Sequence, residues 1–288
     1  MKISDIFKAQ ERTFSFEFFP PKDEIAAVDF GINVGQLLKL SPSFVTVTYG
    51  AGGSTHERTF ALVDFLQNKI GLTTMAHYTC VNASRDKVAT DLDYLHRIGI
   101  ENVMLLRGDP PKGQGKFVPH PQGFAHSAEL VQFAKQCHPS FCVGGASYAE
   151  KHPEAQNIDI DLQNLKKKVD AGADFLITQL FFINSNYVEF VKKARAIGIK
   201  NRIIPGIIPI TAFSQIKRFG QMSGAVVPQE LIEQMEPYQD NHEKIYQIGM
   251  DYAIHQCREL LLLGAPGIHF YTLNKSRATV EIFEALVR

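Results

Sequence analysis

Hydrophobic positions in this chain come in short bursts separated by longer mixed stretches. Residues 13–19 read TFSFEFF, and comparable β-branched or aromatic runs begin at Phe44 (FVTVTY), Thr73 (TTMAHYT), Asn102 (NVMLLRG), Phe141 (FCVGGASY), Phe175 (FLITQLFF), Arg202 (RIIPGIIP) and Gly267 (GIHFYTL). Runs of this length and composition predict buried strands. Most begin about 27 to 40 residues after the previous one, room for one helix in each gap. Helical periodicity is legible there, as in DLQNLKKKVDAGA and YVEFVKKARAIG. The last gap is about twice as long and holds two helical stretches, AFSQIKRFGQM and the segment from Pro228 to Leu263, so an extra helix is expected before the last strand. Eight strands alternating with helices predict an α/β fold of the (β/α)8 TIM-barrel type, a single domain over residues 1–288. Helix-end signals agree: STHE from Ser54 to Glu57 is a capping box where the second helix should begin, and Gly172 and Gly198 stand where helices should end.

A barrel of this kind carries its chemistry at the C-terminal ends of the strands. Alternation assigns the faces there. If Phe14, Phe16 and Phe18 meet the surrounding helices, Ser15 and Glu17 point into the barrel. Thr46 and Thr48 pair in the same way, as do Met75, His77 and Thr79, then Arg107 with Asp109; the fifth strand ends at Tyr148, and Gln179 follows Ile177 on the sixth. A core alone would continue with branched apolar residues, so these polar ends predict a lined pocket. Singly, each has a plainer reading: Arg107 and Asp109 as an ion pair on the rim, His77 as a core histidine. Glu17 is harder to dismiss. A carboxylate against apolar surfaces, with no basic residue beside it in the sequence, is costly to ionise, and desolvation favours the protonated form that donates a proton.

Composition works by exclusion. Lys and Arg total 30 and Asp and Glu 30, so no bulk charge favours a polyanion, and nucleic acid is not an expected partner. No run reaches the ~18 apolar residues of a membrane span. Charges are scattered through MKISDIFKAQERTF, so no membrane is expected and the cytoplasm is the default. Cys80, Cys137, Cys142 and Cys257 have no C-x-x-C spacing, which predicts buried thiols. GDPPKGQGK has glutamine where a P-loop needs lysine, no G-x-G-x-x-G follows a strand, and His120 and His126 lack metal-ligand spacing, so neither a Rossmann site nor a metal is expected. A dinucleotide can bind outside a Rossmann fold, and the segment after the fifth strand has a suitable mixture in Tyr148, His152, Asp161, Asn164, Lys167 and Lys168. The alternative for its lysines is a solvated helix face.

Taken together, FSFEFFPPK, FVTVTYGAGGSTHERT, LLRGDPP, HPEA, KKKVDAGADFLITQLFF, IIPGIIPI and HFYTLN resemble the methylenetetrahydrofolate reductase family in its short bacterial form, in the family's order and over nearly the whole chain. The resemblance implies a barrel that holds FAD noncovalently at its C-terminal face. NADH or NADPH and the substrate 5,10-methylenetetrahydrofolate then take turns at the flavin in a ping-pong reaction. It implies Glu17 as general acid for the departing folate nitrogen and Asp109 as the aspartate beside flavin and pterin. FAD contacts would fall on Thr48, Tyr49, Gly50, Ala51, His77, Arg107, Gly108, Asp109, Tyr148, His152, Ala155, Asp161, Asn164, Lys167 and Lys168. Substrate contacts would fall on Glu17, Thr48, Asp109, Gln179, Gln215, Phe219 and Lys275. Lys275 and Lys167 stand where some members have arginine, which keeps the charge and loses the bidentate grip. The resemblance covers the catalytic barrel, so inhibition by S-adenosylmethionine through an appended regulatory domain is not expected. Relatives form homodimers or homotetramers. Alternatives are electrons from a ferredoxin or partner flavoprotein, a noncatalytic folate- or flavin-binding barrel and, more distantly, a metal-dependent aldolase.

Overall fold

A computed structural model describes residues 1–50, 56–110, 113 and 115–287, with Lys217 and Met222 described in their backbone alone. Each of the eight apolar runs holds a strand: β1 (Thr13–Phe18), β2 (Phe44–Val47), β3 (Thr74–Thr79), β4 (Asn102–Leu106), β5 (Cys142–Ser147), β6 (Phe175–Thr178), then β7 (Arg202–Ile204) with β8 (Gly206–Ile207), and β9 (Gly267–Tyr271). All pairings are parallel, in the order β7-β6-β5-β4-β3-β2-β1-β9-β8. The seventh run supplies two strands because Pro205 has no N–H to donate to a ladder. Ile204 ends the stretch paired with β6, Gly206 begins the stretch paired with β9, and the Pro205 carbonyl accepts from the His269 N–H at 2.9 Å. The ring therefore closes through consecutive residues as an eight-position barrel.

The helices are α1 (Ile3–Ala9), α2 (Glu24–Leu38), α3 (His56–Asp64), α4 (Arg85–Arg97), α5 (Ser127–Cys137), α6 (Ile158–Asp170), α7 (Asn184–Ala196), α8 (Phe213–Ser223), α9 (Gln229–Met235), α10 (His242–Leu262) and α11 (Arg277–Val287). Side-chain caps open several of them: Asp23 accepts from Ala26 N, Ser84 from Lys87 N and Asn157 from Ile160 N. Gly172 (φ +117°) and Gly198 (φ +84°) follow α6 and α7 in the left-handed region that terminates helices. The capping box at Ser54 begins outside the described residues. The stretch from Pro228 to Leu263 is not one helix: a 3-10 turn over Glu236–Tyr238, with Pro237 in its first turn, ends α9, and the Asn241 side chain opens α10 by accepting from Lys244 N. None of the described helices is long and apolar enough to cross a membrane.

Three apolar clusters form among the described residues, two of them on the two faces of the barrel wall and a third, with Phe182, Ile208, Ile210 and Ile216, under α8 to α10. Phe16, Phe18, Val45, Val47, Val103 and Leu105 face outward and pack under the helices, Phe18 meeting Phe30 of α2 edge to face at 5.6 Å. Inside the ring, Phe44, Met75, Met104, Cys142, Phe175, Ile177 and Ile204 pack together with Ile3 and Ile6 of α1. That helix was not expected from the sequence; it closes the N-terminal mouth, where Ile3 N donates to Asn102 Oδ1 at 2.8 Å and Phe7 meets Phe175 edge to face at 5.0 Å. Gly144 leaves space for this cluster, since a Cβ there would lie 3.1 Å from both Met75 Sδ and Phe175 Cζ. Cys80, Cys142 and Cys257 are buried free thiols, whereas Cys137 at the end of α5 is exposed, unlike the sequence expectation.

Phe175 is fully buried at the centre of the inner cluster. Phe175→Ala is expected to destabilise the protein by about 3–5 kcal/mol through lost transfer energy and the cavity left behind. Urea unfolding followed by circular dichroism measures this; a loss below about 1 kcal/mol would mean the interior collapses to fill the gap.

Candidate active site

Above this apolar floor, the inward positions turn polar. Glu17 is buried at the top of β1, and two imidazoles flank it: His77 Nε2 of β3 and His269 Nε2 of β9 each lie 3.7 Å from Glu17 Oε2. Glu17 is thus not without basic neighbours, as its local sequence suggests; they arrive from strands 60 and more residues away. Ser15, one step down β1, shares a 2.8 Å hydrogen bond with His269 Nδ1, which fixes that ring. Burial pulls the His77 pKa down to about 4, with the Glu17 carboxylate opposing and His269 adding to the shift. His77 is therefore a neutral imidazole at pH 7. Its Nε2, Thr46 Oγ1 and Thr79 Oγ1 are buried with no hydrogen-bond partner among the described residues. Buried polar atoms are normally satisfied, and three orphans on inward positions of adjacent strands mark a place that expects a ligand or water.

His269 and Tyr271 escaped the sequence reading, although the alternation that placed Glu17 applies equally to GIHFY. Tyr271 donates its hydroxyl to Thr178 O at 2.6 Å, and Gly206 leaves room for it, because a Cβ there would lie 2.6 Å from the Tyr271 ring. The loop after β9 is latched to β1: Thr272 Oγ1 donates to Glu17 O at 2.6 Å, and Asn274 bonds both the N–H and the carbonyl of Phe19 at 2.8 Å. Lys275 is held just beyond this latch and is exposed.

A cleft of about 630 Å³ opens beside the mouth, between the ends of β4 and β5 and helix α6. Arg107, Tyr148, His152, Ala155, Asp161, Asn164, Lys167 and Lys168 all line it, so the structure gathers most of the expected dinucleotide residues in one place. Arg107 does not pair with Asp109. It makes a bidentate ion pair with Glu154 at 2.5 and 2.8 Å, which raises the guanidinium pKa and lowers that of the carboxylate, and it stacks 5.0 Å from the Phe117 ring centre. Glu154 reaches Arg107 from the loop after β5, and sequence alternation along one strand has no means of indicating that partner. Asp109 is exposed beyond Gly108. Gly108 has φ +85°, and a Cβ there would lie 2.6 Å from Val81 Cγ2, so only glycine fits the turn. Asp161 Oδ2 accepts from His152 N at 2.9 Å, anchoring the loop to α6. Lys168 donates to Ala146 O at 2.6 Å, and burial pulls its pKa down to about 8 against the opposing pull of Asp161.

The remaining candidates divide. Tyr148 lines both the cleft and a narrow gap shared with Gln179, Ser223 and Gly224, which leads from the cleft toward α8. On α8, Gln215 Oε1 accepts from Thr211 N and Ala212 N and so caps the helix; Phe219 is partly buried against the apolar cluster that holds Phe182, Ile208 and Ile216. Thr48 and Gly50 are half-buried at the end of β2. Tyr49 turns its ring outward against Tyr78 and His56, so only its backbone is available to the mouth. Ala51 lies outside the described residues.

The sequence profile of the family "Methylenetetrahydrofolate reductase" matches residues 2–287. Methylenetetrahydrofolate reductase (NADH) 1 of Arabidopsis thaliana is 38% identical over 98% of this chain, which covers 49% of that protein. The 5,10-methylenetetrahydrofolate reductase of Escherichia coli K12 is 35% identical over 94% of this chain and 90% of its own length. The chain thus spans about half the length of its plant relatives and nearly all of the bacterial one. Among solved structures, a Clostridium thermocellum protein described as binding two copies of 5-methyl-5,6,7,8-tetrahydrofolic acid superposes with a TM-score of 0.66 at 13% identity, covering 98% of this chain and 96% of that one. An oxaloacetate acetylhydrolase superposes at 0.56 and 12% identity, over 100% of this chain and 83% of that one; both likenesses concern the fold. With a profile match from end to end and identities above one third across most of its length, the chain belongs to the methylenetetrahydrofolate reductase family.

Proposed function

We propose that this protein reduces 5,10-methylenetetrahydrofolate to 5-methyltetrahydrofolate with NADH or NADPH, in ping-pong order, using noncovalently held FAD. The observation that carries this reading is the carboxyl group of Glu17, buried at the barrel mouth within 3.7 Å of two imidazoles and ringed by unpartnered polar atoms. Family membership supports the reaction, and the NADH in the names of the Arabidopsis and maize relatives supports that donor. When bound, FAD would accept hydride from the nicotinamide and give it up to the one-carbon unit of the folate.

The residues present fit such a cofactor. Arg107, Lys167 and Lys168 supply positive charge along a cleft of about 630 Å³, and Gly108 lets the β4 turn approach a ligand without a side chain between. An anion beside Lys168 would return that amine toward its ordinary range, offsetting the cost of burying it. Glu17 would protonate the folate nitrogen that departs as the five-membered ring opens. His77, held neutral by burial, faces Glu17 Oε2 from 3.7 Å and would help hold the carboxyl group in place for that transfer. Asp109 would meet the pterin from the end of β4, Gln179 and Gln215 would present amide groups to folate or nicotinamide, and Lys275 would meet the folate's carboxylate tail.

Glu17→Gln is expected to leave flavin reduction by NADH within a few-fold of wild type while slowing methylenefolate reduction by about 10²–10⁴-fold, the usual size of a general-acid contribution. Stopped-flow measurement of each half-reaction at the flavin band separates the two, and equal losses in both would sink the assignment. Arg107→Ala removes a cleft cation and leaves Glu154 unpaired, so flavin retention should weaken by about ten-fold or more, read by fluorescence of released flavin on dilution. A pH test follows from His77. Its folded pKa is below the unfolded value, so its contribution to stability is complete above about pH 6.5 and is lost as pH falls toward 4. His77→Gln should flatten the wild-type stability slope in that window by at most about 1.4 kcal/mol per pH unit, as urea unfolding at stepped pH would measure.

A further inference from the structure

Helix α8 has little burial to hold it. It carries Gln215 and Phe219, and of its described side chains only Ile216 and Ser223 are buried. Segments with few buried contacts open locally at low cost, so the ends of α8 decide how firmly it is set. Its first turn is closed from within, by Gln215 Oε1 on Thr211 N and Ala212 N. At the far end three successive backbone donors are taken up in turn. Gly224 N goes to Gly220 O at 2.9 Å, Ala225 N to Ser223 Oγ at 3.1 Å, and Val226 N to the Glu150 carboxylate, 2.9 Å from Oε2 and 3.2 Å from Oε1. The first two acceptors belong to α8 itself. Glu150 stands in the loop after β5, and its Oε1 also accepts from Asn186 Nδ2 of α7 at 3.0 Å. One carboxylate thus ties three separate segments with charge-assisted bonds, while the neighbouring Lys151 amine is engaged elsewhere, on Ala155 O at 3.0 Å. Gly224 lets the same loop come close, since a Cβ there would lie 3.2 Å from Pro153 Cγ.

We propose that Glu150 is a positioning residue that holds α8 at the setting from which Gln215 and Phe219 meet the substrate. This rests on the reaction proposed above, in which those two side chains are substrate contacts. The loop that carries Glu150 keeps its own shape by other means: Ala155 N donates to His152 O at 2.9 Å, Glu154 N to His152 Nδ1 at 3.1 Å, and His152 N to Asp161 Oδ2 at 2.9 Å. Removing the Glu150 carboxylate therefore frees the end of α8 and leaves His152, Glu154 and Ala155 in the cleft. The effect falls on substrate binding and spares the cofactor. Glutamine serves nearly as well as glutamate, because its carbonyl can accept from Val226 N and its amide can donate to Asn186 Oδ1 once the Asn186 amide turns over. Alanine offers neither contact.

Hydrogen exchange and steady-state kinetics on the flavin-loaded enzyme test this together. In Glu150→Ala the backbone amides in the second half of α8 should exchange at least about ten-fold faster, while those of α6 keep the wild-type rate. KM for methylenetetrahydrofolate should rise about ten-fold, with kcat within about two-fold and flavin retention unchanged. Glu150→Gln should return exchange and KM to within about two-fold of wild type. If Glu150→Ala does not fold, Asn186→Asp takes its place: a second carboxylate against the first drives Glu150 from Val226 N and should give the same pair of changes. Wild-type exchange across α8 in the disrupting variant overturns the proposal, as does a glutamine variant as impaired as alanine. Faster exchange with unchanged KM also overturns it and leaves the reaction standing. A wild type that does not turn over methylenetetrahydrofolate overturns the reaction and with it the substrate role of α8, and the exchange rates then still decide whether Glu150 holds the helix.

Discussion

The inside of the barrel has to be filled, because strands closed at this curvature enclose side chains rather than solvent. Here the filling is uneven. From the N-terminal mouth upward, Ile3, Ile6, Phe44, Phe175, Met75 and Met104 occupy the interior, with Asn102 bonded to Ile3 N at the mouth. Over that floor the same strands present Glu17, Thr46, His77, Thr79 and His269. A carboxyl group can be held there because the apolar layer below gives the strands a fixed separation, and that separation sets both imidazoles 3.7 Å from Glu17. The Ser15 hydrogen bond to His269 and the Thr272 bond to the Glu17 carbonyl are further ties at the same level. The site is as rigid as the packing beneath it.

The strands were legible because period-two patterning and the spacing of apolar runs are local signals. Phe14, Phe16 and Phe18 announce their side of the sheet, and with it the side of Glu17. What alternation along one strand does not carry is the identity of neighbours across the sheet. Glu17 looked unpartnered in FSFEFF because its imidazoles come from β3 and β9, and Arg107 looked paired with Asp109 because Glu154 lies in a distant loop. Helix α1 was missed for a related reason: seven residues make too short a helix to declare itself by periodicity, and its stability comes from insertion into the barrel. The break at Glu236–Tyr238 followed from Pro237, a local signal hidden by an otherwise helical stretch.

Mouth and cleft have different physical character. The mouth is buried, with neutral or desolvated groups and orphaned polar atoms, suited to moving a proton at one atom. The cleft beside α6 is open and ionic, with Glu154 occupying the Arg107 guanidinium and Lys168 resting on a backbone carbonyl, suited to holding a long anionic molecule. Tyr148 borders the cleft and the gap toward Gln179, so a ligand seated in one is continuous with the approach to the other. The two regions thus differ in solvation, the cleft open to water and the mouth closed to it.

The joint at Pro205 bears on how the protein is made. Strands β1 to β7 pair in the order in which a ribosome releases them, each beside its predecessor, so most of the sheet can assemble during synthesis. The free edge of β1 is different. Its partner is β9, more than 250 residues later, and β8 has no pairing in the ring until β9 arrives between them. Until then the nascent chain exposes the outer edge of β1, a strand rich in phenylalanine, to any extended segment that could pair with it. Completion of the ring is thus the step that removes this protein's longest-lived hazard, and crowded synthesis is where a chaperone would matter most to it.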